Sequence, residues 1–571
     1  MRGFFRSSYK DNYGKTRWLA ATHLEPVAAR KVFPCFDEPA LKAKFTIEAT
    51  VPPGYSAISN MLIQDTQKEA NGEKTIMFQE TPIMSTYLVA LVVSDFASLA
   101  HGTYSVWARP NAISQASYAV SVMEPLVKFY EKAFNCPYQL SKLEMVALPD
   151  FVSGAMENWG LLTYKERNLL FDANVSDIVA KQSITNVISH EITHQWFGDL
   201  VSPLWWKYLW LNEGFARYFQ YFGTANVKEN WSLESQFLVD QLHSALAADS
   251  LPFSHAMTHD VYSPTEIRAI FDSISYAKGA SVIRMMEKSF GQGVFYEALQ
   301  NYLDKHHFGV ATPEDLFNAF KEAITDTETH NAIHDIMNTW TTQPGYPVVH
   351  VAFKNNQLHL RQERFLINQK KNVSIERPWY VPITWAPVGT SDFTNTRPRY
   401  WLKDADSSIE FPHSDRVIIF NVQQSGFYRT NYETPIWQEI MYFLRTDQYK
   451  QIPEFNRAAL IDDLMNFGRT DYVDYDIVLS ATKYLVQETD YGPWRAFLNG
   501  LNYLRKHVEG TDVADAYKRY LVGLLTPIYD SLKFRDQKND EHIKKMMRMH
   551  IRKWACEMGV SDCKLQALDH F

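Results

Sequence analysis

Residues 190–194 read His-Glu-Ile-Thr-His, and Trp-Leu-Asn-Glu-Gly follows at 210–214. On a helix, residues four apart lie on one face, one turn from each other. His190 and His194 can therefore grip a single ion. Glu191, one position round from His190, can reach a water on that ion without binding the ion itself. Eighteen residues separate His194 from Glu213, enough to finish one helix, turn, and begin another that returns a carboxylate. Two imidazoles, a carboxylate and one open position make the shell of a catalytic zinc. Zinc lowers the pKa of a bound water from about 15.7 to about 7. The expectation is one Zn2+ per chain held by His190, His194 and Glu213, with Glu191 as the general base.

A short string of this kind also arises by chance, so the elements around it matter. From Ser176 to Phe197, Ile178, Val179, Ala180, Ile184, Val187, Ile188 and Ile192 recur at roughly helical intervals, and Ser176 and Asp177 are candidate caps. Asn212 to Ala216 opens a second helix-like run. Upstream, residues 1–101 alternate strand-like runs with turn signals such as Pro52-Pro53-Gly54 and Asn71-Gly72. The most apolar stretch, Tyr87 to Val93, reads as a buried strand bounded by Ser94-Asp95. Thr342 to Pro347 marks a boundary, alternation returns to about Tyr432, and from Glu433 the pattern is helical to the end.

Gly154-Ala155-Met156-Glu157-Asn158 lies about thirty residues before the zinc motif. With Glu25-Pro26, Phe33 to Pro39, Ser275-Tyr276-Ala277-Lys278-Gly279-Ala280, Gly426 to Tyr432 and Asn456-Arg457-Ala458, the chain resembles the aminopeptidase N family of zinc metallo-aminopeptidases, of the gluzincin type. The resemblance runs through essentially the whole chain, and Ser202 to Tyr208 look most like insect gut members. It implies a multidomain α and β fold: a partial β-rich N-terminal domain at 1–101, a thermolysin-like α+β catalytic domain at 102–345, a small β-sandwich at 346–433 and a partial helical domain at 434–571. It also implies a chain cut short at both ends. Glu157 would hold the substrate's α-ammonium, as carboxylates in a low-dielectric pocket do best. Gly154 and Ala155 would border the scissile peptide, Met156 would flank the site, and Glu25 would be a second amine contact. Tyr276, one of 31 tyrosines, would stabilise the developing oxyanion. The expected reaction removes N-terminal, mainly neutral or apolar, residues from peptides by zinc- and Glu191-activated water attack.

Two departures stand out. His23 takes the place where the family usually carries glutamine; a histidine charged near neutral pH would repel cationic first residues. Lys207-Tyr208 replace the family's common Asn-Asp. Two rival readings remain: a zinc endopeptidase or epoxide hydrolase, against which the amine-binding motif argues, and a surface receptor or adhesion scaffold, against which the complete catalytic set argues.

Composition narrows the classes further. A net charge of −8 offers no basic footprint for nucleic acid, and no run approaches the length of a membrane helix. The run from Lys544 to Met549 reads as a solvated helix face. Any membrane association would come through segments outside this chain, and the resemblance allows a homodimer. Asn174, Asn230 and Asn372 begin glycosylation sequons. Cys556 and Cys563 are close enough to bridge a helical turn, where the family's secreted members carry a disulfide; Cys35 and Cys136 read as free buried thiols. These features favour an extracellular, cell-surface ectoenzyme in the full-length form.

Overall fold

A computed structural model describes residues 1–68, 71–368, 377–411 and 417–569. The chain divides into two compact units. The first holds Met1–Glu229, Thr258–Ala280 and Gly293–His334; the second holds Asn230–Met257, Ser281–Gln292 and Asp335–Phe571.

The first unit begins with strands. β1 (Gly3–Lys10) and β2 (Thr16–His23) form a hairpin, its turn held by the Asp11 carboxylate, which accepts from the amides of Tyr13 and Lys15 at 3.0 and 2.9 Å. β3 (Glu48–Val51), β4 (Ser56–Ser59), β5 (Ile63–Lys68), β6 (Lys74–Phe78) and β7 (Leu91–Ser94) complete a four-stranded sheet in the order β1-β2-β7-β4 and a three-stranded sheet in the order β3-β6-β5. The expected strand at 87–93 is thus shorter. Thr86–Leu88 form a buried helical turn before β7, because Ser85 turns inward to bond Pro39 O and Ser202 Oγ.

β8 (Ala97–His101) and β9 (Tyr104–Ala108) pair as a hairpin, so the sheet structure runs straight across residue 101. After α1 (Ser117–Phe134) come β10 (Leu143–Leu148), β11 (Ala155–Met156) and β12 (Leu161–Lys165). The five-stranded sheet has the order β11-β12-β10-β9-β8; its central pairs are parallel and its edges antiparallel. α2 (Ile178–His194) and α3 (Trp210–Val227) follow. α2 starts at the Asp177 cap, whose side chain accepts from the Ala180 amide at 2.8 Å, which satisfies one donor of the first turn. It ends three residues before Phe197, where Asp199 N and Phe197 N turn back onto His194 O and Thr193 O. Both helices are buried along most of their length, and Tyr130 of α1 bonds Ser189 Oγ of α2 at 2.6 Å.

In the second unit, Asp406–Glu410, Gln357–Arg364, Pro347–Lys354 and Arg429–Tyr432 make a four-stranded sheet, and two strand pairs lie beside it in sequence. Helices run from Thr434 onward. The motifs at 426–432 and 456–458 serve packing here. Arg429, 1% exposed, bonds Asp462 at 2.6 Å and Asp463 at 2.8 Å. Arg457 pairs with Glu488 at 2.7 Å, and Asn456 donates to Asn421 O at 3.0 Å. Buried guanidiniums this fully paired tie the strands to the helices that follow.

Cys556 and Cys563 are joined, linking His542–Met558 to Ser561–Leu568. Cys35 and Cys136 are free, and half-buried rather than buried. The run at 544–549 is only partly solvated. Lys544 is exposed, but Met546, Met547 and Arg548 are buried, with Arg548 donating to Leu532 O, Asp536 and Asp540. No helix among the described residues is long and apolar enough to cross a membrane.

Candidate active site

α2 and α3 bring the three expected ligands together. His190 Nε2 and His194 Nε2 lie 3.2 Å apart, and Glu213 Oε2 stands 3.2 Å from the first and 3.3 Å from the second. A nearly equilateral triangle of that edge has its centre about 1.9 Å from each corner, just short of the 2.0–2.2 Å of zinc–nitrogen and zinc–oxygen bonds. His194 Nδ1 faces Phe197 O at 3.0 Å, so this nitrogen carries the proton and the Nε2 lone pair points inward. Glu213 Oε2 is buried and makes no hydrogen bond. Three lone pairs converging with no donor between them suit a divalent cation, and these residues fit a resident metal ion.

The surrounding charges point the same way. Glu25, Glu157, Glu191 and Glu213 are all buried around the triad. The ligand atoms of Glu157, Glu191 and His194 lie within 4.8 Å of one another, as do those of Glu25, Glu157 and Glu213. Burial, reinforced by mutual repulsion, pushes Glu25, Glu157 and Glu191 above the usual carboxylate range. Burial opposes charge on His194 as well, but Glu157 and Glu213 outweigh it and raise its pKa well above the ordinary value; a bound cation would displace that extra proton and free the Nε2 lone pair. Burial pulls His190 down to about 4, the neutral form that ligates a metal. Glu213 is also penalised by burial, yet the two imidazoles hold it below the usual range. The pocket therefore concentrates negative charge that positive charge must offset.

Glu157 reaches the site from the turn between β11 and β12. Asn158 Nδ2 bonds Leu161 O at 3.1 Å and Thr163 Oγ1 at 3.2 Å. Gly160, at φ +80°, allows the chain to pass where a Cβ would sit 2.4 Å from Asn60 O. Lys142, buried, donates to Gly160 O at 2.8 Å. Gln195, one residue beyond α2, ties this turn to the motif helix: its Nε2 donates to Glu157 O at 3.1 Å and Asp199 Oδ2 at 2.9 Å, and its Oε1 accepts from Gly160 N at 3.1 Å. β2 leads into Glu25, whose buried Oε1 makes no hydrogen bond.

Tyr276 sits in a turn of π-helix, Ile274–Lys278. Such bulges cluster at functional sites, and the sequence pattern did not reveal this one. Its hydroxyl donates to Glu213 Oε1 at 2.6 Å, and its ring lies parallel to His190 with centroids 6.1 Å apart. Gly279 permits the approach, since a Cβ there would meet Gly214 Cα at 3.0 Å.

These side chains line a cleft of about 440 Å³ together with Gly154, Ala155, His23 and Tyr276. Met156 does not reach it: it is 1% exposed, because on a strand it points to the face opposite Ala155. His23 does line the cleft, but burial lowers its pKa to about 4, so it is neutral at pH 7 and brings no repulsive charge. Lys207 bonds Asp260 at 3.2 Å and stands 5.1 Å from the Tyr208 ring centroid, which accounts for this pair as a local surface contact. The sequence reading missed Arg217, Gln220, Arg268 and Phe271, which also line the cleft. Arg217 follows Glu213 by one helical turn, and that spacing was the available signal. Asn174 and Asn230 are exposed; Asn372 lies outside the described residues.

Residues 118–340 match the peptidase family M1 domain, residues 1–88 the peptidase M1 N-terminal domain, and residues 417–571 the ERAP1-like C-terminal domain. The chain belongs to peptidase family M1. Among curated relatives, this M1 chain is 36% identical to Aminopeptidase Ey of Gallus gallus over 99% of its own length and 60% of the relative's. It is 37% identical to Aminopeptidase A of Gloydius brevicauda over 97% and 58%, and 35% identical to Aminopeptidase N of Mus musculus over 99% and 60%. The M1 chain thus spans about 60% of the length of the relatives it matches.

Proposed function

We propose that this chain is a zinc-dependent aminopeptidase that removes N-terminal, mainly neutral or apolar, residues from peptides. The observation that carries the reading is the pairing of a three-ligand triangle with two further buried carboxylates, Glu157 and Glu25, beside it. Their unpartnered oxygens are what an α-ammonium would satisfy.

His190, His194 and Glu213 would hold the ion. When bound, zinc supplies a Lewis-acid charge that polarises a carbonyl and acidifies water. Glu157 and Glu25 bind the substrate's ammonium group and fix which peptide bond lies over the triad. Glu191, with its raised proton affinity, takes the proton of the attacking water and passes it to the departing amine. The Tyr276 hydroxyl, turning its one proton from Glu213 Oε1, donates where negative charge develops on the carbonyl oxygen. Gln195 positions Glu157 against the motif helix. Val152 and Phe271 at the cleft, with neutral His23, favour uncharged first residues.

We extend the proposal to the organisation of the chain: a β-rich N-terminal part to about Phe96, a catalytic domain to Gly345, a strand-rich domain to Glu433 and a helical part beyond. The exposed sequons at Asn174 and Asn230 and the disulfide near the last helix suit an extracellular, cell-surface setting for the full-length protein.

The test compares a peptide with its N-acetylated twin. Hydrolysis of the free peptide alone, abolished by chelation and restored by zinc, is the expected result. Equal cleavage of both would sink the exopeptidase reading in favour of an endopeptidase.

A further inference from the structure

The cleft is polarised. Glu25 and Glu157 gather on the side of His194 and Glu213, with Glu157 Oε1 3.8 Å from His194 Nδ1. Around His190 and the Tyr276 ring the cleft carries the opposite charge; Arg2 also lines it, near His23. Tyr276 lies parallel to His190, and the Arg217 guanidinium stands over the Tyr276 ring, 5.3 Å from its centroid. Arg217 is half-buried on α3, and its charge is felt at both His190 and Glu191. Arg268, also half-buried, lines the same cleft from the short helix Pro264–Ala269, its Nη2 donating to Thr265 Oγ1 at 3.3 Å.

This dipole sets a direction for the substrate. An extended peptide advances about 3.5 Å per residue. With its amine among the carboxylates and its first peptide bond over the triad, the peptide's leaving portion heads toward the arginines. A guanidinium presents a planar fork of donors that matches a carboxylate in two parallel hydrogen bonds.

We infer that Arg217, with Arg268, is a specificity-determining residue that binds a carboxylate on the leaving portion of the peptide: the side chain of an acidic second residue, or the terminal carboxylate of a dipeptide. The inference rests on the aminopeptidase reading above. It makes the enzyme selective on the side of the scissile bond away from the amine, while the first-residue pocket stays uncharged.

The experiment measures kcat/KM for C-terminally amidated peptides that start with Ala and carry Glu, Gln or Lys second, and for Ala-Ala against its amide. A preference for Glu over Gln of about tenfold or more is expected, the size given by one charge-assisted hydrogen bond, with Lys slowest. In R217Q that ratio collapses toward one; in R268Q it shrinks; in both it is read as a ratio within one protein, so a general loss of turnover does not mimic it. Raised salt erodes the parent's preference, a readout that needs no variant. The two substrate series separate the two carboxylate sources. Equal rates for Glu, Gln and Lys together with equal rates for the dipeptide and its amide overturn the inference, as does a ratio unchanged in both variants. Failure to cleave any free-amine peptide would count against the aminopeptidase reading instead.

Discussion

The Tyr276 hydroxyl donates to Glu213 Oε1 at 2.6 Å while Glu213 Oε2 faces the two imidazoles. One carboxylate therefore serves two tasks: one oxygen turns into the triangle where an ion would sit, the other holds the phenol beside it. Burial and the Glu213 charge keep Tyr276 protonated far above neutral pH, so it remains a donor. Y276F is expected to lower kcat by ~10²–10³, the usual loss for one donor at a developing oxyanion, with KM changed little and metal content unchanged. Metal analysis beside steady-state kinetics checks this, and wild-type kcat in Y276F would remove the role.

Glu191 and Glu213 are both buried carboxylates at the same triad, yet their losses should differ in kind. Glu191 is outside the triangle, so E191A is expected to keep its zinc and lose turnover by ~10²–10⁴ or more. Glu213 is a corner of it, so E213A is expected to lose zinc on dialysis. Atomic absorption on both dialysed proteins separates the two roles; equal zinc retention would mean that the triangle is not the metal site.

Gln195 makes its contacts to Glu157 O, Asp199 and Gly160 N with no exposed surface. Q195A removes these contacts, together with those to Tyr138 OH and Glu191 O, and leaves Asp199 with two unpaired buried oxygens, a cost of about 1–3 kcal/mol. Because Gln195 touches the backbone of Glu157, the kinetic effect should fall on recognition: KM for free-amine peptides rises more than kcat falls. Q195E, which keeps shape but not the donor, should behave similarly. A drop in thermal midpoint with unchanged KM would reduce Gln195 to a packing residue.

How much of this was legible in the sequence depends on the range of each constraint. The His190–His194 pair is set by helix geometry alone, and the Asp177 cap and start of α2 follow from local signals. Glu213 needed only one turn between two helices. The convergence of Glu25 and Glu157 depends on a β2 end and a β11–β12 turn more than a hundred residues apart, so only the family resemblance could place them. Met156 and His23 show what motif position leaves open: a strand's alternation turned one away from the cleft, and burial neutralised the other. The π-turn at Tyr276 and the Gly279–Gly214 contact carry no periodic signature at all. Arg217 was hidden for a simpler reason, since an arginine on a helix usually reads as a solvated face.

A pH-dependent contribution to stability lies in the second unit. Glu363 is 3% exposed and accepts from Tyr472 at 2.6 Å and Arg361 at 2.8 Å, with His350 Nε2 at 2.9 Å. Burial alone would raise its pKa, but these partners outweigh it and hold the carboxyl at about 2 against an ordinary 4.5. The unfolded chain therefore binds a proton at 4.5, while the folded chain refuses it until about 2. Stability from this group is complete above 4.5 and is lost as pH falls toward 2. E363Q keeps the shape and removes the titration. The parent's thermal midpoint should exceed that of E363Q most clearly near about pH 6, and the gap should close as the solution is acidified through that window. Midpoints that run parallel at every pH would show that the charge of Glu363 contributes nothing to folding.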